Sequence, residues 1–183
     1  MEEKRQPRNW KRLITIALAV IVAIGVAYVI GAFWVGPGGV KAGEGVISTA
    51  VLNMPSGILP ARDTNGNAVT LLVKIAETSE ARKAGLSNVG AKALDTTVLL
   101  YAYPKVQTAR VTYAMTGIRA PLELAVIDES GSVVAIKKAG ITTSSISVTE
   151  KHQWILAAKE GLLAKMGITQ GSVVTPGDIR RIN

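Results

Sequence analysis

One stretch constrains this chain more than any other: Leu13 to Val35, an apolar run of about 23 residues without a charge. As a helix it reaches roughly 34 Å, enough to cross a ~30 Å hydrocarbon core with some tilt. Lys4, Arg5, Arg8, Lys11 and Arg12 precede it, whereas Lys41 is the only basic residue within a comparable distance after it. That asymmetry predicts a cytoplasmic N-terminus and a domain on the far side of the membrane. Trp10 at one end and Phe33 and Trp34 at the other suit the two interfaces, where amphipathic rings settle. A soluble core helix would need a polar face, and this run has none. Val40-Lys41-Ala42 offers a small-residue cleavage site, but a signal h-region is typically only ~7–15 residues. The expectation is therefore an uncleaved, single-pass anchor in the cell (inner) membrane.

Ala19, Ala23, Ala27 and Gly31 recur every fourth residue along the run. In lipid, close backbone approach along such small-xxx-small rows is a main source of helix association. These four residues are the expected packing face for a partner helix. Thr15 and Tyr28 are the mild polar groups of the span and no Asp, Glu, Lys, Arg or His lies within it, which argues against a proton or ion path.

The expected organisation is a basic tail (1–12), the span (13–35), a Gly/Pro-rich linker with room for a first strand (36–68), an extracytoplasmic domain (69–176) and a C-terminal tail (177–183). The formal charge is +8; five bases and two acids in the tail give it +3 and leave +5 scattered over the remainder. No basic stripe is interleaved with aromatics, so nucleic acid is not an expected partner. Anionic lipid headgroups account for the basic tail. The chain has no cysteine, which excludes disulfides, thiolate metal sites and cysteine nucleophiles.

Val46 to Leu52 suits a strand, and Asn53 to Asn67, with two prolines and Asn65-Gly66, reads as a loop or hairpin tip. Val69, Leu71, Val73 and Ile75 alternate as one strand. Thr78 or Ser79 caps a short helix through Ala84, closed by Gly85. Strands are expected over Thr97–Tyr103, stopped by Pro104, and over Thr108–Met115. Leu122–Ile127 and Val133–Ile136 flank the hairpin turn Asp128-Glu129-Ser130-Gly131. Ile141–Thr149 reads as an extended loop or edge strand, and Gln153–Ala157 as a strand. A helical turn over Glu160–Met166 and a short strand within Ile168–Val174 complete the pattern. The fold class is α+β, mainly β: a curled or barrel-like antiparallel sheet with two short helices, behind the transmembrane helix.

The order of these signals resembles the prokaryotic family known as domain of unknown function 192. The family's Thr-x-x-Glu-Arg-x-x-Gly-Leu-Met is similar to Thr78-Ser79-Glu80-Ala81-Arg82-Lys83-Ala84-Gly85-Leu86-Ser87, which keeps Arg82, Gly85 and Leu86. Its Leu-Phe-x-Phe-Pro is matched by Leu100-Tyr101-Ala102-Tyr103-Pro104. Its Phe-Trp-Met-x-Asn-Thr-x-x-Pro-Leu-Asp looks like the stretch from Tyr113 to Glu123, with Met115, Thr116, Pro121 and Leu122 between. Closing turns are echoed by Gly161, Gly167-Ile168 and Gly171-Ser172, so the resemblance runs from about Val69 to Val174. The resemblance implies a residual family site at Arg82, Met115, Thr116, Pro121 and Glu123. The family's polar Asn-Thr pair is replaced by Gly117 and Ile118, which offer no side-chain hydrogen bond.

Other candidates carry less chemistry. His152 is the only histidine, and without a second histidine or a cysteine it reads as a strand-edge residue beside Trp154 rather than a metal ligand. Glu123 and Arg82 are expected to form a buried ion pair tying helix to sheet. Ser144, Ser145 and Ser147 have no base to activate them. Tyr101, Tyr103, Tyr113 and Trp154 could line a groove for an apolar ligand or partner, core packing being the plainer reading. No metal or cofactor is expected. The functional expectation is a non-catalytic, membrane-anchored accessory or scaffold subunit partnered with other integral membrane subunits and the bilayer. The alternative is a ligand-binding module or degenerate enzyme using the Arg82/Glu123 region.

Replacing Ala23 and Ala27 with Leu keeps the span hydrophobic but holds a neighbouring helix away. Copurification of membrane partners is expected to fall with this pair and to survive Val22→Leu with Val29→Leu. Equal retention by both double variants would reduce the segment to a tether.

Overall fold

The computed structural model describes residues 45–182. The tail, the span and its packing face at Ala19, Ala23, Ala27 and Gly31 lie outside the described residues. Among the described residues no helix is long and apolar enough to cross a membrane.

The chain is mainly β. It begins with a helical turn, α1 (Thr49–Leu52), where Ser48 accepts a hydrogen bond from the Val51 N–H. This replaces the strand expected over Val46–Leu52, because the serine side chain satisfies an amide that a strand would have paired. Then follow β1 (Ser56–Arg62), β2 (Ala68–Ala76), α2 (Ser79–Ala84), β3 (Leu99–Gln107), β4 (Val111–Ala114), β5 (Leu122–Ile127), β6 (Val133–Ala139), β7 (Ser145–Val148), β8 (His152–Lys159), α3 (Leu162–Lys165), β9 (Val173–Val174) and β10 (Arg180–Ile182). Among the described residues three short α-helices thus stand where two were expected, with 3-10 turns at Ala93–Asp95 and Pro176–Asp178.

The main sheet runs β10-β1-β2-β3-β8-β5-β6, with β9 added beside β1, and β4 and β7 form a separate ribbon. The pairing is antiparallel except for β2 with β3, whose parallel register requires the crossover through α2. The sheet curls until its far ends meet at β9. Arg62 and Ala61 pair with Val173 and Val174, while Ser132 bridges Val173 on the other side. Gly131 makes this junction possible: at φ +87° it places its amide carbonyl against Val174, and a Cβ there would lie 2.1 Å from the Val174 carbonyl oxygen.

Two segments differ from expectation because a proline does not end a strand that has an open edge. Pro60 lies within β1, whose outer edge changes partner from β10 (Ser56 to Ile58) to β9 (Ala61 and Arg62). The missing N–H falls at that changeover, and the Pro60 carbonyl accepts the Thr175 N–H at 3.0 Å instead. Only Asp63–Asn67 remains as the hairpin turn, its Asp63 carboxylate holding the Asn65 and Asn67 amides. Pro104 likewise lies inside β3, where pairing with β8 is interrupted between Ala102 and Gln107. The segment expected as a C-terminal tail supplies β10.

All six residues of β5 are buried, as are most of β8 and the first part of β3. A strand buried on both faces explains the unbroken apolar run Leu124 to Ile127. Inside the curl, Leu59, Leu71, Val73, Leu100, Ile127 and Leu156 pack with Leu163 and Ile168 of the α3 region. On the outer face Leu99, Tyr101, Leu122, Leu124, Val126 and Ile155 are covered by α1, the α2 region and the β4–β7 ribbon.

Glu123 is the exception within β5. It is 4% exposed, and its Oε1 accepts the Leu163 N–H at 2.9 Å, capping the first turn of α3. Glu123→Ala leaves that amide unpaired and is expected to cost about 2 kcal/mol, whereas Glu123→Gln retains an acceptor and loses less than half of that. Urea midpoints measure both, and equal losses would rule out the cap.

At the opposite edge, Arg181 of β10 is bidentate on Glu77 at 3.0 and 2.6 Å. The Arg181 hydrogen bond holds the Glu77 carboxyl below its ordinary value. Its stabilisation is therefore full above the unfolded-state value and is lost as pH falls through the depressed one. Amide exchange in β10 is expected to accelerate, relative to β2, on acidification below about pH 4.5, and Arg181→Gln is expected to abolish the difference.

Candidate functional site

The expected pairing of Arg82 with Glu123 does not form. Glu123 projects to the inner face of the sheet and binds α3. Arg82 leaves the C-terminal turn of α2 on the outer side, where its Nη1 donates to the carbonyls of Glu77 and Ala102. The guanidinium carbon lies 5.0 Å from the centre of the Tyr103 ring, a cation–π stack. Of the other residues in the residual site, Met115 is buried in the outer core, while Thr116 and Pro121 are exposed beyond it. The five residues do not converge.

A different group does. Tyr101 and Tyr103, two apart on β3, share one face, and Tyr113 of β4 comes down onto them. The Tyr101 and Tyr113 rings meet edge to face at 5.3 Å. With Arg82, Lys83 and Gly85 they line an open cavity of about 360 Å³ between the end of α2 and the β4–β7 ribbon. Ser79 and Thr112 stand at its rim, and no carboxylate lines it. Trp154, grouped with these aromatics in the sequence reading, packs on the inner face instead, because it alternates with Ile155 on the other side of β8.

The tyrosines run into a buried hydrogen-bond chain. Tyr103 Oη lies 2.8 Å from Tyr113 Oη, which lies 3.2 Å from His152 Nε2. His152 Nδ1 lies 2.7 Å from the Glu150 carbonyl oxygen. A carbonyl only accepts, so Nδ1 carries the proton, and in the neutral ring Nε2 accepts from Tyr113. Tyr113 in turn accepts from Tyr103. The hydroxyl proton of Tyr103 is thereby spent inward, and its remaining lone pair faces outward. His152 is fully buried at the start of β8, beside Trp154. Among the described residues no cluster of three His, Cys, Asp or Glu side chains stands ready for a metal.

Tyr101 is the exception to this satisfied network. The residue is 7% exposed, yet its hydroxyl has no hydrogen-bond partner among the described residues and opens to the cavity. Gly85 keeps the opening: at φ +51°, a Cβ there would stand 2.5 Å from the Tyr101 hydroxyl oxygen. Burial pushes the Tyr101 phenol well above its ordinary pKa, so it remains a donor. Burial does the same for Tyr113. The histidine link and the role of Gly85 were not read from the sequence. The tyrosines at i and i+2 on one strand, facing a helix that ends in Arg-Lys-Ala-Gly, were the available signal.

No curated protein matches this chain. Two solved structures share its fold. One, from Sinorhizobium meliloti 1021, is provisionally described as a transcription regulator; it is 18% identical, with a TM-score of 0.58, covering 67% of this chain and 94% of that one. The other, a protein of unknown function from Novosphingobium aromaticivorans DSM 12444, is also 18% identical, with a TM-score of 0.54, covering 75% of this chain and 99% of that one. The family described as Uncharacterized ACR, domain of unknown function 192, matches residues 61–176, from the outer end of β1 to the turn before β10. With more than half of its length matched, the chain belongs to domain of unknown function 192.

Proposed function

We propose that the chain is a membrane-tethered binding module for a small molecule, held at the bilayer by the Leu13–Val35 segment. The ligand site is the tyrosine–arginine cavity, not the Arg82/Glu123 pair. The observation that carries this reading is the hydroxyl of Tyr101. Among the described residues no buried side-chain polar atom lacks a partner, so this hydroxyl reaches the cavity with its donor uncommitted within the fold and is placed to bond a ligand there. Gly85, at a position where any side chain would strike that hydroxyl, supports the same reading.

The module is non-catalytic in this proposal. Its phenols are held protonated, and its lining offers cations and hydroxyls but no carboxylate to exchange protons. The partner-helix face at Ala19, Ala23, Ala27 and Gly31 supports a second role, in which the segment docks the module onto other integral membrane subunits. The extracytoplasmic placement follows from the basic residues before the segment.

Full-length protein in lipid nanodiscs, screened by thermal shift against a panel of small polar metabolites, tests the reading. Panel members that stabilise the wild type are expected to lose at least roughly fivefold in affinity with Tyr101→Phe, which keeps the ring and removes one hydrogen bond. Glu123→Gln is expected to leave them unchanged. Panel members bound equally by the wild type and Tyr101→Phe would overturn the assignment of the cavity.

A further inference from the structure

The donors and acceptors of the cavity define a ligand class. We infer that the site takes a small hydroxylated carboxylate, of the sugar-acid type, with its carboxylate on Arg82 and a hydroxyl on Tyr103. This inference rests on the binding reading of the same cavity and goes beyond it by naming the chemistry.

The charge comes first. The lining contains two cations and no acid. Arg82 has spent both Nη1 hydrogens on the Glu77 and Ala102 carbonyls, which locks the guanidinium plane. Its Nη2 and Nε hydrogens have no acceptor among the described residues. That free edge matches the two oxygens of a carboxylate. Lys83, exposed on the next residue of the helix, adds a mobile charge at the mouth. The cavity is nevertheless a poor site for a dianion. It lies against the last turn of α2, whose carbonyl end carries partial negative charge. One guanidinium facing that carbonyl end favours a monoanion over a phosphate.

The hydroxyl requirement comes from the hydrogen-bond chain. The His152 tautomer directs the Tyr113 proton to Nε2 and the Tyr103 proton to Tyr113, so Tyr103 offers the cavity an acceptor and no donor. Tyr101 offers a donor. A ligand that satisfies both must carry at least one O–H and one further acceptor besides the groups on Arg82. Val111 and Ala114 supply an apolar side against which a ring carbon face can rest. A sugar acid meets all of these demands. A fatty acid leaves Tyr103 unmatched, and a neutral sugar leaves Arg82 unmatched.

Four probes separate the terms by isothermal titration against the full-length protein in nanodiscs: D-glucuronate, cyclohexanecarboxylate, D-glucose and D-glucose 6-phosphate. Glucuronate is expected to bind, and each of the other three to bind at least roughly tenfold more weakly: cyclohexanecarboxylate and glucose each forfeit a polar or charged partner, and glucose 6-phosphate brings a dianion to the carbonyl end of α2. Arg82→Gln is expected to weaken glucuronate by a similar factor. Tyr103→Phe is expected to weaken glucuronate but not cyclohexanecarboxylate, which has no hydroxyl to lose. Cyclohexanecarboxylate binding as tightly as glucuronate would overturn the hydroxyl assignment, and glucose doing so would overturn the anionic one. Tighter binding of glucose 6-phosphate would overturn the choice of carboxylate. No binding by any of the four would overturn the ligand class, whereas panel ligands still lost in Tyr101→Phe would uphold the cavity itself.

Discussion

The structure depends on burying one sheet from both sides. Strand β5 and most of β8 have no solvent face, so the side chains there must find cover above or below. The sheet supplies the inner cover itself by curling until β9 joins β1 to the start of β6. It cannot supply the outer one. That falls to short pieces, α1, α2 and the β4–β7 ribbon, each too small to be stable alone and each retained by the apolar surface it covers. The cavity opens at a seam between two of these pieces. Its position is thus set by the covering of the outer face, and its walls are tyrosines whose rings belong to that core.

A polar thread holds the ribbon to the sheet at the seam. His152, Tyr113 and Tyr103 come from three strands, and each satisfies the next. Inside a protein such a chain is stabilising only while every member is paired, and in that state it selects one arrangement of the strands. The positions where the family carries its Asn-Thr pair have a different task here. Gly117 lies at φ +75°, its carbonyl accepts the Asn88 N–H, and a Cβ would come within 3.0 Å of the Asn88 side chain. What is lost there as hydrogen-bonding potential is replaced by a tight backbone turn.

Much of this architecture was legible in the residues. Alternation from Val69 to Ile75, the Thr78 cap with the Gly85 stop, and the Asp128–Gly131 turn are local signals, and each corresponds to an observed element. The misreadings share a cause. Pro60 and Pro104 are strand breakers by local rules, but both fall where the ladder on that edge is already interrupted, a fact set by residues more than a hundred positions away for Pro60 and about fifty away for Pro104. Arg82 and Glu123 were paired by opposite charge and by their places in the family's motifs, although the sheet lies between their partners. The tyrosines were legible as a group on β3, but their link to His152 required knowing that β8 runs beside β3 and that β4 folds back over both.

The closure of the sheet has a consequence for how the chain reaches this state. β1 is made early, yet its outer edge is completed by residues 173–182. Until those residues are available, β1 and β2 form a hairpin with one open edge, the inner core lacks Val174, and the junction at Gly131 cannot form. Contacts this distant in sequence are slow to assemble, because the intervening loop must be ordered before they contribute. The domain therefore matures last to first: its final strands license its initial ones.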